Sequence, residues 1–124
     1  MTKRILVIDD AEPTLRLLQI ALGREGYEVV TKLDGASGLA SIHDRVPDLI
    51  ILDIALPDVD GWEILARLRE DERTAAVPVM MMSAHDTDDI QGRADMTSAS
   101  VFVAKPFAPE HLRKQVRQLL DLDG

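Results

Sequence analysis

Five short apolar runs separated by helix-like stretches constrain this chain more than any other feature. They are Ile5 to Ile8, Tyr27 to Thr31, Leu49 to Leu52, Val79 to Met82 and Val101 to Val103. Runs this short, bounded by polar or turn residues, read as strands buried on both faces. Pro13 suits the first turn of a helix that puts Leu15, Leu18 and Leu22 on one face and ends near Gly23 to Gly26. Asp34-Gly35 reads as a turn, and a weaker helix follows through Leu39 and Ile42. Ile64, Leu65 and Leu68 form a third helical stripe. A fourth, over 86–96, is polar, with only Ile90, Ala94 and Met96 as apolar anchors and Gly92 weakening it. Pro109 opens a fifth, with Leu112, Val116, Leu119 and Leu120 on one face. Strands alternating with amphipathic helices predict an α/β fold: one parallel sheet with helices on both sides.

Four of the five runs stop at a residue that can handle phosphate. Ile5 to Ile8 stops at Asp9-Asp10, and Leu49 to Leu52 at Asp53. Val79 to Met82 stops at Ser83, and Val101 to Ala104 at Lys105-Pro106. In one parallel sheet these carboxyl ends share an edge, which is where ligands of open α/β sheets bind. Three carboxylates that close together would repel, and some would take up protons. A hard divalent cation resolves the repulsion, and oxygen ligands without His or Cys suit Mg2+, with Mn2+ as a substitute. A carboxylate can also act as a nucleophile on phosphorus, here Asp53 at a strand tip. Lys105 supplies a point charge for the phosphoryl group, directed by a Lys-Pro bond that can be cis. Ser83 offers a hydroxyl. Each piece has a plainer reading: Asp9-Asp10 as helix capping, Asp53 as a turn former, Lys105 as a solvated surface charge, Ser83 as a loop residue.

The chain has 124 residues, which predicts one domain over 1–124. It has no cysteine, which leaves out disulfides and thiolate metal sites. No apolar stretch nears the ~20 residues of a membrane span, and a cytoplasmic setting is the expectation. The net charge of −8 argues against direct nucleic-acid binding and fits a domain that docks on proteins and holds a cation.

Asp9-Asp10, Asp53 followed by Pro57 and Gly61, Ser83-Ala84, and Phe102 to Phe107 together carry a family likeness. The chain resembles a response-regulator receiver domain of two-component signalling over essentially its full length. The resemblance implies a flavodoxin-like (βα)5 fold, with sheet order 2-1-3-4-5 and the second strand at an edge without chemistry. It implies that Asp53 is the phosphoacceptor, fed by a sensor histidine kinase or phosphotransfer protein. Asp10, Asp53 and the backbone carbonyl of Ala55 would hold Mg2+ directly, with Asp9 acting through a water. Lys105 and Ser83 would contact the phosphoryl oxygens, and Lys105 would pair with Asp53 in the empty site. Phe102 would be a switch aromatic that turns inward with Ser83, against the alternative of a permanently buried ring. Ala55 and His85 would tune the phosphoryl lifetime, against the alternative of an exposed loop histidine at 85. Pro57, Gly61 and Pro106 would shape the site. Output would run through the fourth helix, fifth strand and fifth helix to an effector protein or fused output domain, with a homodimer as a further arrangement on that face.

The chain departs from the family pattern in three places. Ser98-Ala99 replaces the usual Gly-Ala, the fourth helical stretch is unusually polar, and Gly38 sits inside the second helix. His43 and His111 read as surface residues. Other classes fit less well. An Mg2+-dependent phosphohydrolase would want Asp-x-Asp after the first strand, where this chain has Asp9-Asp10-Ala11. A flavin carrier would want a Ser/Thr/Gly-rich loop where Ala11-Glu12-Pro13 stands. A receiver used as an unphosphorylated scaffold would not need the complete site.

Overall fold

The computed structural model describes residues 2–83 and 99–123. The predicted fourth helix and His85 lie outside the described residues. Elements follow in the order β1 (Arg4–Ile8), α1 (Glu12–Gly23), β2 (Glu28–Lys32), α2 (Gly35–Asp44), β3 (Leu49–Asp53), α3 (Gly61–Glu70), β4 (Val79–Ser83), β5 (Val101–Ala104) and α4 (Pro109–Asp123). The strands form one parallel sheet ordered β2-β1-β3-β4-β5. This is the predicted topology.

Side chains alternate across the sheet, so every apolar run feeds two cores. Ile5, Val7, Ile51, Met80, Met82 and Val103 face Leu15, Leu18 and Leu22 of α1 and Leu112, Val116 and Leu120 of α4. Leu6, Ile8, Ile50, Leu52 and Met81 face Ile42 of α2 and Ile64, Leu65 and Leu68 of α3. That double burial is why the runs read as continuous rather than alternating.

Two local readings shift. The second strand starts at Glu28 rather than Tyr27, because Gly26 at φ 92° is still turning and the β1 ladder begins at Arg4↔Glu28. Asp34 does more than turn the chain: it caps α2, its carboxylate accepting from Ser37 N–H at 2.8 Å.

Gly38, a departure at sequence level, has a packing reason. A Cβ there would lie 2.8 Å from Cγ1 of Ile8, which is fully buried. Alanine would gain up to ~1 kcal/mol of helix propensity, but overpacking costs ~1–3 kcal/mol. Gly38→Ala is therefore expected to destabilise the fold by roughly 1 kcal/mol in urea unfolding. Adding Ile8→Val should make the alanine less costly than it is alone, as a double-mutant cycle would read. Additive losses would refute the steric explanation.

Candidate functional site

The four chemistry-bearing strand ends meet at the carboxyl edge. Asp53 and Ser83 are the last residues of β3 and β4, and Asp9 and Lys105 come one residue after β1 and β5. β2, the edge strand, ends in Lys32, whose carbonyl accepts from Asp9 N–H at 3.1 Å. Asp9 is fully buried, Asp53 and Ser83 are nearly so, and Asp10 is exposed. One carboxylate oxygen from each of Asp9, Asp10 and Asp53 lies within 4.8 Å of the others.

Lys105 is the counter-charge. Its Nζ lies 2.5 Å from Asp9 Oδ2 and 3.3 Å from Asp53 Oδ2. The expected pairing with Asp53 is present, but Asp9 is the nearer partner. The reason is burial: Asp9 has lost its water and takes two replacements, Lys105 on Oδ2 and Ala11 N–H on Oδ1 at 2.9 Å. The second contact ties the Asp9 side chain to Ala11, the N-cap residue of α1. Asp10 stays on the open side.

Among the described residues, three carboxylates face one ammonium, which leaves the crevice negative. Burial, followed by the charge of Asp9, raises the pKa of Asp53 above its ordinary range, although Lys105 and Ala55 N–H oppose this. Burial works against the charge on Lys105, but its hydrogen bond to Asp9 and the charges of both aspartates outweigh it and raise its pKa. The oxygen-only donor set of Asp9, Asp10 and Asp53, with its excess negative charge, fits a hard divalent cation.

The loop after Asp53 is tightly held. Ala55 N–H donates to Asp53 Oδ1 at 3.2 Å, Gly61 N–H to Ile54 O at 2.9 Å, and Ala55 and Asp60 form a bridge. A Cβ on Gly61 would lie 2.6 Å from Asp53 O and 2.7 Å from Ile54 Cα. Both are backbone atoms, so the tip of β3 itself would have to move. Gly61→Ala is expected to lose ~1–3 kcal/mol of stability and to slow any chemistry at Asp53. A chain as stable as the parent in denaturant would refute the close-approach argument. Pro57 lies exposed in this loop, and the Lys105–Pro106 bond is cis.

Phe102 is half-buried, packed on the α2/α3 side with its ring centroid 5.6 Å from that of Trp62. His43 and His111 are exposed, as expected. Asp58 was not singled out by sequence. It reads as one more loop aspartate, yet its carboxylate reaches the start of α2. Asp-rich loop composition carries no signal for such a contact.

Residues 5–117 match the family model described as the response regulator receiver domain. The chain belongs to the response regulator receiver domain family. It is 44% identical over 119 residues to the DNA-binding dual master transcriptional regulator RpaA of Synechocystis, covering 94% of this chain and 48% of that protein. It is 37% identical over 120 residues to the alkaline phosphatase synthesis transcriptional regulatory protein PhoP of Bacillus subtilis, covering 97% of this chain and 49% of that protein. The chain thus spans about half the length of these relatives. Its fold matches the chemotaxis response regulator CheY4 of Vibrio cholerae with a TM-score of 0.89 at 26% identity, over 96% of this chain and 99% of that one. The fold is the flavodoxin-like one of these receivers, and the domain is a phosphoacceptor signalling domain. No described helix is long and apolar enough to cross a membrane.

Proposed function

We propose that this receiver accepts a phosphoryl group on Asp53 from the phosphohistidine of a sensor histidine kinase or phosphotransfer protein, in an Mg2+-dependent reaction that it catalyses itself. The convergence of Asp53 with Asp9, Asp10 and Lys105 at one sheet edge carries this reading. As an Asp53 oxygen bonds to phosphorus, the phosphorus–nitrogen bond breaks and the imidazole leaves, neutral when its second nitrogen carries a proton. Asp53 must be ionised, and it is held at a strand tip by Ala55 N–H and Lys105. Lys105 and Ser83 take up the new phosphoryl oxygens. Asp10, Asp53 and the Ala55 carbonyl would hold the cation, with Asp9 acting through a water. Bound there, Mg2+ would neutralise charge on the transferring oxygens.

A donor protein must seat its histidine beside Asp53. An apolar groove of about 390 Å³ lies next to Lys105, lined by Pro13, Thr14, Leu17, Pro106 and Phe107. Leu17 is 41% exposed, which suits the apolar face of a partner helix. Adding a group of about −2 charge to a crowded crevice then biases a two-state element. Phe102 and Ser83 are the residues we assign to that switch, with output through β5, α4 and the segment between β4 and β5 toward an effector or a fused output domain. A charge of −8 makes the receiver itself a poor DNA ligand, so DNA contact of the kind RpaA's name describes would belong to another domain.

The test is incubation with a small acyl phosphate and Mg2+, followed by intact-mass measurement. One phosphoryl addition is expected. An unchanged mass at saturating donor and Mg2+ would overturn the proposal.

A further inference from the structure

The first turn of a helix leaves its leading N–H groups without partners inside the helix. In α2, Asp34 serves Ser37 N–H through its carboxylate and Gly38 N–H through its carbonyl. The N–H groups of Gly35 and Ala36 are served by a residue more than twenty positions away. Asp58 Oδ1 accepts from Gly35 at 2.8 Å and Asp58 Oδ2 from Ala36 at 2.9 Å. Gly35 permits this approach: a Cβ there would meet Ile64 Cδ1 at 3.0 Å, Val59 Cβ at 3.1 Å and Asp58 Oδ1 at 3.2 Å. Those two N–H groups hold the Asp58 carboxyl below the usual carboxylate range, so the clasp is charged at neutral pH.

Asp58 sits between Pro57 and Val59, in the loop that runs from Asp53 to α3. That loop is pinned near its base by Gly61 N–H on Ile54 O and by the Ala55–Asp60 bridge. Its far side is tied to α2 through both oxygens of Asp58. Ala55 belongs to the first anchor, three residues before Asp58, with its N–H on Asp53 Oδ1. We infer that Asp58 is a positioning residue, one that holds the loop against α2 and so places the Ala55 carbonyl for the cation. This rests on the function proposed above, in which that carbonyl is a ligand.

A bland alternative exists: Asp58 only caps α2 and so only stabilises it. The local cap supplies the control. Asp34→Ala weakens the same helix start from the other side, without touching the loop.

The experiment is Mg2+ binding by calorimetry, with the Mg2+ dependence of acyl-phosphate labelling alongside, on wild type, Asp58→Ala, Asp58→Asn and Asp34→Ala. Losing a group hydrogen-bonded to a metal ligand weakens binding about 10- to 100-fold, and Asp58 acts one step further out, through the loop, which puts it at the low end. The Mg2+ dissociation constant is therefore expected to rise about 10-fold in Asp58→Ala. It should rise less in Asp58→Asn, which keeps one acceptor oxygen and is the variant to read if the alanine chain does not fold. It should stay at the wild-type value in Asp34→Ala. Wild-type affinity in the Asp58 variants, or an equal loss in Asp34→Ala, overturns the inference while the phosphoacceptor reading stands. A wild-type chain that takes up neither Mg2+ nor phosphoryl overturns both.

Discussion

Asp53→Asn is expected to take up no phosphoryl group from a small donor under conditions that label the wild type, as read by intact mass. Chelating the divalent cation should abolish wild-type labelling in the same assay. The neighbouring carboxylates are unsuited to replace Asp53: Asp9 is buried and engaged by Lys105 and Ala11, and Asp10 lies on the open side. Labelling of Asp53→Asn at the wild-type rate would remove Asp53 from the acceptor role. The same substitution carries a stability signature of opposite sign. The pKa of Asp53 is raised, so the folded state binds its proton more tightly than the unfolded chain does. Its ionised form therefore opposes folding above the raised pKa, and this penalty fades as pH falls toward the ordinary carboxylate value. In chelator at neutral pH, Asp53→Asn should melt higher than wild type, and the gap should close on acidification. A lower melting midpoint at neutral pH would show that the Lys105 contact outweighs burial and Asp9. Labelling of the wild type should also fall in acid, since only the carboxylate attacks.

Lys105→Met is expected to be the most destabilising single change at the site. It removes the cation that joins residues 96 and 52 positions apart and leaves the buried Asp9 carboxylate, among the described residues, with the Ala11 N–H. Breaking a fully buried pair costs ~3–5 kcal/mol. Lys105 retains some solvent contact, its side chain being 18% exposed, so ~2–3 kcal/mol is expected in metal-free denaturant unfolding. Because the Lys105 pKa is raised, the contribution of the pair is fully present below the ordinary value of 10.5 and is lost as pH rises through the folded one. Wild type and variant should therefore converge in strong alkali. Mg2+ should restore more stability to the variant than it adds to wild type, because the ion enters a more negative crevice. Phosphoryl transfer should fall by ~10²-fold or more, the usual effect of removing one preorganised charge from a transition state. A variant with wild-type stability in chelator would refute the electrostatic account of the crevice.

Much of the architecture was legible because burial on both faces leaves a simple mark. Ile5 to Ile8, Leu49 to Leu52 and Val79 to Met82 are unbroken apolar runs because α1 and α4 cover one side of the sheet and α2 and α3 the other. The reactive residues were legible for a related reason: each sits where such a run stops. Less legible were residues whose role depends on a partner far along the chain. Gly38 reads in sequence as a flaw in a helix, yet it packs against Ile8; Asp34 reads as a turn, yet its carboxylate accepts from Ser37 N–H. Asp58 had no periodic or motif context at all.

The alternation of strands and helices, the two-sided core and the placing of Asp9, Asp10, Asp53, Ser83 and Lys105 at strand ends are written in the order of residues. Hydrophobic period and run length are local properties, and both survive in the order of residues. Three features arise in the folded chain alone: Lys105 lies nearer Asp9 than Asp53, Gly61 has no room for a methyl group over the tip of β3, and Asp58 clasps α2. Those outcomes depend on inter-strand register and on which groups lose their water, which are set when distant segments pack together.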